Sequence, residues 1–401
     1  MADLSFGAAL GFARDLIRIP SPPGGEGEVG ERLLLELNRL GFDRAWRDEV
    51  GNVIGVVEGR GEAKPVMLSC HLDIVDPGDP TAWEHAPYAA DVTDGFLHGR
   101  GAMDIKGPLA LQTYAAAHFV AERPAGDVIV AHTVLEERGG WGMEYLLESD
   151  AVSPGVAIVG ESTHGDVTIG HRGRAEIVVS IHGLAGHASA PDRAVNALDG
   201  LPAVLDAVRA FAAERLAEED PVLGRASVVA TQVEVSPASR NVIPDLVRVY
   251  LDWRVLPGHT PDTAAGAVRD FLAERVHLDD ERLRIDVDCA TELQHTCTGR
   301  EAARRLFTPG FLVPRDHPAA VAAADVIAHV TGHTPDIRPW TFATDGGHIC
   351  GVHGIPTIGY APGEERYAHT NTERLSLAAA EEAYSVYPQL INALFSVVPV
   401  G

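Results

Sequence analysis

His71 and Asp73 are the first pair of side chains whose chemistry and spacing suit a metal site. They occupy positions i and i+2 of an apolar stretch, so both side chains point to one face of a strand. There the Asp73 carboxylate can accept the second ring N–H of His71 while the other ring nitrogen binds a metal. Asp104 lies in a glycine-rich turn, residues 99–107, just before a predicted helix, where an aspartate also acts as an N-cap. Taken alone, each observation favours a structural role.

Two adjacent glutamates, Glu136 and Glu137, lie in the sequence LEERGG at the end of another predicted strand. Either they are a solvated pair in a loop, or one carboxylate binds a cation while its neighbour stays free as a general base. Glu161 also follows an apolar strand, and His369 lies in a loop after the predicted strand 355–360.

Five of these acidic and histidine residues lie at or just beyond the carboxyl ends of predicted strands. In an open parallel sheet that edge is where ligands bind, and unrelated structural residues would not collect there. Two histidines and several carboxylates without a cysteine suit zinc, or a related divalent ion such as cobalt or manganese. Together the residues predict a metal site.

The elements that must position this site alternate between helix and strand in the first part of the chain. They are helix 31–40, strands 51–58 and 65–75, a helix that follows Met103–Asp104 and runs to about Ala121, strand 127–135, helix 140–148 and strand 155–160. Such alternation predicts an α/β fold with a mostly parallel sheet and flanking helices. Helix 318–331 and strand 355–360 indicate a return to this domain near the end of the chain.

The middle of the chain follows a different pattern. It comprises strand 175–183, a helix at about 194–217, strands 225–235 and 246–256, helix 261–276 and strand 282–288. The order β-α-β-β-α-β is ferredoxin-like. We therefore expect an inserted domain over residues 174–289, with residues 1–173 and 290–401 forming the two parts of the catalytic domain.

The composition of the chain limits the kinds of molecule that we expect it to bind. The 401 residues include 32 Lys+Arg and 57 Asp+Glu, a formal net charge of −25. That balance argues against nucleic acid and anionic membrane surfaces as partners. The four cysteines form no C-x-x-C pair, and neither a signal peptide nor an apolar run of membrane-spanning length is recognisable, so we expect a cytoplasmic protein.

Two other enzyme classes do not fit the sequence. Residues 25–30 match G-x-G-x-x-G, but SPPG precedes them in place of the hydrophobic strand that a dinucleotide-binding fold needs. A G-x-S-x-G elbow, which marks many serine hydrolases, does not occur. Cys70, beside His71, should point to the opposite face of its strand and into the core.

The sequence resembles the zinc aminoacylase/carboxypeptidase family, which includes acetylornithine deacetylase, succinyl-diaminopimelate desuccinylase, aminoacylases and glutamate carboxypeptidase. The motifs that carry the resemblance run in family order from about residue 67 to 373: SCHLDIV, DGFLHGRGAMDIKG, LEERGG, VGES, GLAGHASAPDRAVNAL, RNVIPD, DWRVLPG and APGEERYAHTNTE. The combination is specific, although each motif alone is not.

This resemblance implies two zinc ions per subunit. By matching position, the first would be held by His71, Asp104 and Glu161, and the second by Asp104, Glu137 and His369, with Asp104 bridging. Asp73 would orient His71, and Glu136 would be the general base. Two metals lower the pKa of a shared water and polarise the scissile carbonyl, and a nearby carboxylate can move the proton.

The resemblance also assigns roles within the inserted domain and at its start. His187 corresponds to the family histidine that reaches into the partner subunit's active site to stabilise the oxyanion, which implies a homodimer. Asn241, Arg254 and Arg172 match residues that contact the substrate carboxylate in relatives, although an arginine in an acidic protein is often simply an ion-pair partner.

Three departures from the family pattern occur; the first changes little, whereas the other two lie where the substrate should sit and leave the substrate undefined. Ser162 stands where relatives often have proline, Arg240 precedes Asn241, and TDGGH at 344–348 replaces the commoner Thr-Asp-Ala type of loop. The predicted function is a deacylase that hydrolyses the amide bond of an N-acyl amino acid. A dipeptidase or carboxypeptidase of the same family is the alternative, and a non-catalytic binding relative is disfavoured because Glu136 and all five ligand positions are filled.

Overall fold

The computed structural model describes residues 2–398, which form two compact units. The first unit contains the described residues up to His171, Leu293–Ala302, and those from Leu312 onward. The second unit contains Arg172–Glu292 and Ala303–Phe311.

The helices are α1 Phe6–Ile17, α2 Gly27–Leu40, α3 Lys106–Ala117, α4 Trp141–Glu148, α5 Leu201–Arg215, α6 Pro261–Arg275, α7 Pro318–Thr331 and α8 Leu377–Phe395. The strands of the two largest sheets are β1 Arg44–Arg47, β2 Val53–Val57, β3 Val66–His71, β4 Val128–Thr133, β5 Val156–Val159, β6 Val167–Thr168, β7 Gly173–His182, β8 Ser227–Ser236, β9 Leu246–Val255, β10 Arg284–Cys289, β11 Phe307–Thr308, β12 Ile337–Arg338 and β13 Thr357–Gly359. Across the described residues, none of these helices is both long and apolar enough to span a bilayer.

The first unit is built on a mixed sheet of strand order β1-β2-β4-β3-β5-β13-β6-β12. Its centre, β4-β3-β5-β13, is parallel, whereas β1 and β2 add antiparallel strands at one edge. The predicted α/β sheet with flanking helices is therefore confirmed. Because β3, β4 and β5 run in one direction, their carboxyl ends share one edge of the sheet, where the candidate metal ligands were expected.

Burial explains why these segments form the centre of the sheet. Every residue of β2, β3 and β4 is buried, as expected for strands covered on both faces. Helix α3 is buried along its whole length, since it contacts β3, α1 and α8. The turn before α3, which carries Asp104, is therefore fixed by the core.

The second unit is an antiparallel sheet of order β8-β9-β7-β10, with β11 paired to β7. Strand β9 alternates between buried and partly exposed residues, and its buried side chains pack with those of α5 and α6. Phe211 and Trp253, for example, meet edge to face with ring centroids 5.2 Å apart. The element order is β7-α5-β8-β9-α6-β10.

Some sequence-based boundaries are wrong for identifiable reasons. The helix expected at 194–217 begins only at Leu201, because Val195 pairs with Leu184 and the Asn196 side chain accepts the Leu198 N–H to start a separate short turn. The helix expected after Met103–Asp104 does begin close to that point, at Lys106, but it ends at Ala117 and not at about Ala121, since a 3-10 turn follows over His118–Val120. Residues 303–311, expected in the same domain as the rest of 290–401, fall in the second unit, since β11 pairs with β7.

Candidate active site

His71 is the last residue of β3, and its two ring nitrogens have different surroundings. Nδ1 lies 2.8 Å from the backbone carbonyl oxygen of Asp73, so Nδ1–H donates to that carbonyl. Nε2 lies 3.2 Å from Asp104 Oδ1 and 3.2 Å from Glu161 Oε1. The expected contact with the Asp73 carboxylate is longer, at 3.6 Å, so the backbone carbonyl is the closer acceptor for His71.

Asp104 lies between the two histidines. Its Oδ1 faces His71 Nε2, and its Oδ2 lies 3.2 Å from His369 Nε2. The alternative N-cap role is excluded, since the N-cap position of α3 is Ile105 and makes no side-chain cap. Glu373 holds this turn by accepting the backbone N–H groups of Met103 and Asp104, each at 3.1 Å.

Glu136 and Glu137 lie in a tight turn, residues 135–140, just after β4. The fully buried Asp73 carboxylate accepts the backbone N–H of Glu136 at 3.1 Å and that of Glu137 at 3.0 Å. Glu26 accepts the N–H of Leu135, which has a φ of +59°. Asp73 therefore orients both His71, through its carbonyl, and the two glutamates, through its carboxylate.

Glu161 and His369 complete the cluster. Glu161 follows β5, and its side chain is 7% exposed. His369 is more exposed, and its Nε2 lies 3.0 Å from Glu137 Oε1. All seven residues singled out from the sequence as metal ligands, as the base or as the partner of His71 thus fall in one place.

The crowding of carboxylates shifts their pKa values. Burial, followed by the charge of Asp104, raises the pKa of Glu161 to about 7. Burial also raises the pKa of Glu136 well above its usual range, and that of Glu137 to a smaller extent. Burial also acts to raise the pKa of Asp104. The hydrogen bonds with His369 and His71 outweigh burial, so the pKa of Asp104 is lowered.

The surrounding carboxylates favour positive charge on the two imidazoles. Hydrogen bonds with Asp104 and Glu137 raise the pKa of His369 to about 10. Burial alone would lower the pKa of His71, but contacts with Asp104, Asp73 and Glu161 raise it well above its usual value. A divalent cation would supply this positive charge and leave both imidazoles as neutral ligands.

The donor set fits such a cation. Ligand atoms of His71, Asp104 and Glu137 lie within 4.8 Å of one another, as do those of His71, Glu136 and Glu161. Asp104 Oδ1 is buried, and apart from its 3.2 Å contact with His71 Nε2 it has no hydrogen-bond partner among the described residues. Imidazole nitrogens and carboxylate oxygens are ligands that zinc and related divalent ions accept.

His187 and Asn241 are neighbours in the second unit. His187 pairs with Val242 across a short strand pair, and the Ala188 N–H donates to the Asn241 carbonyl oxygen at 3.1 Å. The exposed His187 ring is fixed through Nδ1, which accepts the Ser189 N–H at 3.1 Å and lies 2.7 Å from Ser189 Oγ.

The two arginines expected to contact a substrate carboxylate have protein partners in the second unit. Arg254 Nε lies 2.8 Å from the Asp252 carboxylate, and Arg172 donates to the carbonyl oxygen of Arg225 at 2.5 Å. Arg254 thus forms an ion pair with Asp252, which is the alternative to a substrate contact that the sequence analysis gave for these arginines.

Other residues that hold the cluster together were not singled out from the sequence. Glu26 lies within the G-x-G-x-x-G match that was set aside, and Glu373 follows the His369 motif by only a few residues. Asp345 and His348 lie in the TDGGH sequence, noted only as a departure from the family pattern. Nearness to the His369 motif was the available signal for Glu373, whereas Glu26, Asp345 and His348 carry no local signal of this role.

A cluster of carboxylates and imidazoles at the carboxyl edge of an α/β sheet is typical of a metal-dependent hydrolase. Residues 67–393 match the sequence profile of peptidase family M20/M25/M40, and the chain belongs to this family. It is therefore a metal-dependent hydrolase that acts on amide bonds.

Relatives support this membership over nearly the whole chain. The uncharacterised protein YgeY of Escherichia coli strain K12 is 30% identical over 367 residues, which cover 90% of this chain and 88% of YgeY. Succinyl-diaminopimelate desuccinylase of Rhodopseudomonas palustris is 28% identical over 410 residues, covering 97% and 98%. The crystal structure of Sso-CP2, an M20 family metallo-carboxypeptidase from Sulfolobus solfataricus, shares the fold with a TM-score of 0.76 at 14% identity, covering 97% of this chain and 99% of Sso-CP2.

Proposed function

We propose that this hydrolase removes the acyl group from an N-acyl amino acid at a site for two divalent ions, zinc or else cobalt or manganese. His71, Asp104 and Glu161 would hold one ion, and Asp104, Glu137 and His369 the other. The observation that carries this assignment is the position of Asp104, with one oxygen facing each imidazole. When bound, such ions polarise the substrate carbonyl and lower the pKa of the attacking water.

Glu136 is the general base in this proposal. It takes a proton from the attacking water and returns that proton to the departing amine. Its backbone N–H is held by Asp73, and its carboxylate lies within 4.8 Å of the ligand atoms of His71 and Glu161. This position leaves Glu137, its neighbour in the chain, to serve as a ligand.

His187 stabilises the oxyanion that forms when water attacks the amide carbonyl. Because Nδ1 accepts the Ser189 N–H, the ring proton lies on Nε2, which then acts as the donor. We propose that His187 acts on the active site of the partner subunit in a homodimer. Asn241, next to His187, and Arg254 and Arg172 are the proposed contacts for the substrate carboxylate.

A deacylase is favoured over a peptidase because the desuccinylase of R. palustris matches almost the whole chain, whereas Sso-CP2 shares the fold at low identity. A dipeptidase or carboxypeptidase is the second candidate. The substrate is a small molecule in either case, and we place the protein in the cytoplasm, consistent with four cysteines that are all free.

The test is amine release by zinc- or cobalt-loaded protein across a panel of N-acyl amino acids and dipeptides. Glu136→Ala serves as the inactive variant, and Glu148→Ala, an exposed glutamate at the end of α4, as the matched control. We expect turnover of N-acyl amino acids that falls by several orders of magnitude in Glu136→Ala with metal retained. Turnover of dipeptides alone would show that the protein is a peptidase and not a deacylase. A near-normal rate in Glu136→Ala would refute the assignment of Glu136 as the general base.

A further inference from the structure

The segment 344–348 (Thr-Asp-Gly-Gly-His) touches both ends of the turn that carries Glu136. Before the turn, the Thr133 hydroxyl lies 2.7 Å from Asp345 Oδ2 and donates to it. After Glu136, His348 Nε2 lies 3.0 Å from the Gly139 carbonyl oxygen, so Nε2–H donates to that carbonyl. Both side chains are nearly inaccessible, with Asp345 4% and His348 6% exposed.

The fit between the segment and the 135–140 turn is close. A Cβ atom on Gly140 would come within 2.8 Å of the His348 ring and 2.9 Å of Asp345 Oδ1. Real Cβ atoms do not approach that near, so the turn and the segment pack without room for a side chain. Gly140 also has a φ of +78°, a conformation that favours glycine.

The segment has its own anchor away from the turn. The Thr344 backbone N–H donates to His171 Nε2 at 3.0 Å, and the Gly346 N–H donates to Thr344 Oγ1 at 3.0 Å. Thr344 is fully buried. The segment can therefore resist movement of the turn instead of following it.

We propose that Asp345 and His348 are positioning residues that hold the turn bearing Glu136 and Glu137. Asp73 binds the middle of this turn through two N–H groups, while Asp345 and His348 fix its two flanks. A general base must keep its geometry to within a fraction of an ångström, and misplacement by about 1 Å costs on the order of 10²-fold in rate. The inference rests on the proposed function, because it assumes that Glu136 is the base.

The test compares His348→Leu, which removes the N–H donor, with His348→Gln, whose side-chain amide restores one. Thr133→Val removes the hydroxyl that reaches Asp345 while keeping the side-chain shape. Val352→Ala is the control, since Val352 belongs to the same helical turn, Gly347–Val352, but is 60% exposed. For each protein, kcat, KM and bound metal are measured, together with amide hydrogen exchange over residues 133–142.

We expect His348→Leu and Thr133→Val to lower kcat by about 10- to 100-fold with little change in KM or bound metal. Exchange at Glu136 and Glu137 should become faster in both, while His348→Gln and Val352→Ala stay close to the wild type. Unchanged exchange in His348→Leu would overturn the proposal, as would loss of bound metal in place of a loss of kcat. If the wild type hydrolyses no substrate, the proposed function fails, whereas the exchange data still decide whether the segment holds the turn.

Discussion

At the scale of single residues, Asp104 is the carboxylate that both imidazoles face, so its loss should affect both metal positions. We predict that Asp104→Asn binds less metal than either Glu161→Gln or Glu137→Gln, because each of the latter removes a ligand from one position only. The measurement is bound metal per chain after equilibrium dialysis. Asp150→Asn, an exposed aspartate just beyond α4, is the control. Metal content in Asp104→Asn equal to that of the wild type would show that Asp104 is not shared.

The backbone N–H and the hydroxyl of Ser189 both contact His187 Nδ1 and so hold the His187 ring. A Ser189 variant therefore tests the proposed role of His187 in stabilising the oxyanion without changing His187 itself. His187→Ala should lower kcat by about 10²- to 10³-fold, the usual effect of losing one oxyanion donor. Ser189→Ala keeps the backbone N–H and loses only the hydroxyl, so we predict a smaller fall in kcat with KM unchanged. His182→Ala, a partly exposed histidine of β7, is the control. Equal turnover in wild type, His187→Ala and Ser189→Ala would contradict the role.

Several residues that hold the site in place could not be predicted from the sequence. The metal-ligand candidates could be found because most follow a strand end, and a strand end is recognisable locally. Glu26, Asp345 and His348 instead contact residues that are 109 to 212 positions away in the chain. No spacing rule predicts such pairs, since they depend on how β4 and the later loop meet in the folded unit.

At the scale of elements, prediction succeeded where local signals delimit a segment. Helix α7 has the bounds predicted from the sequence, 318–331, with Pro318 in its first turn and a left-handed Gly332 as its C-cap. Helix α8 is not predicted, and Pro388 within it is a residue that normally ends a helix. Strand β1 is not predicted either, because its four residues carry no buried face.

Helix α2 contains a buried carboxylate whose ionisation should stabilise the first unit. Burial tends to raise the pKa of Glu36, but hydrogen bonds from Arg39, Tyr114 and Arg32 outweigh it and lower the pKa to about 2. Because the folded-state pKa lies below the unfolded value of about 4.5, this stabilisation is complete above pH 4.5 and is lost as the pH falls toward 2. The shift corresponds to an upper limit of about 3 kcal/mol.

We therefore predict that Glu36→Gln lowers the free energy of unfolding at pH 7, and that its difference from the wild type shrinks below pH 4.5. Urea unfolding at a series of pH values measures this difference. Glu31→Gln, an exposed glutamate on the same helix, should show neither effect. A difference that stays constant down to pH 3 would contradict the ionisation argument.

At the scale of the whole molecule, the outer edge of β8 is the surface at which the proposed second copy would pair. This strand ends the sheet of the second unit, and most of its residues are exposed, including Val229, Val233 and Val235. An exposed edge strand that carries apolar side chains is a ready site for pairing with another chain. It supports the proposed homodimer, which the role of His187 requires.

A charge on this edge should separate the subunits. We predict that Val233→Lys sediments as a monomer and loses turnover to about the level of His187→Ala. Val321→Lys, which replaces an exposed valine on α7, should remain a dimer with normal turnover. A wild type that sediments as a monomer with full activity would contradict both the dimer and the action of His187 across it.

We propose that amide hydrolysis by this protein needs two divalent ions, held around Asp104. The most direct measurement starts from metal-free protein and follows turnover of an N-acyl amino acid and bound metal together as zinc or cobalt is added. We predict that metal-free protein is inactive and that bound metal saturates at two ions per chain, with full turnover only at that point. Turnover without added metal, or saturation of binding at a single ion, would contradict the account.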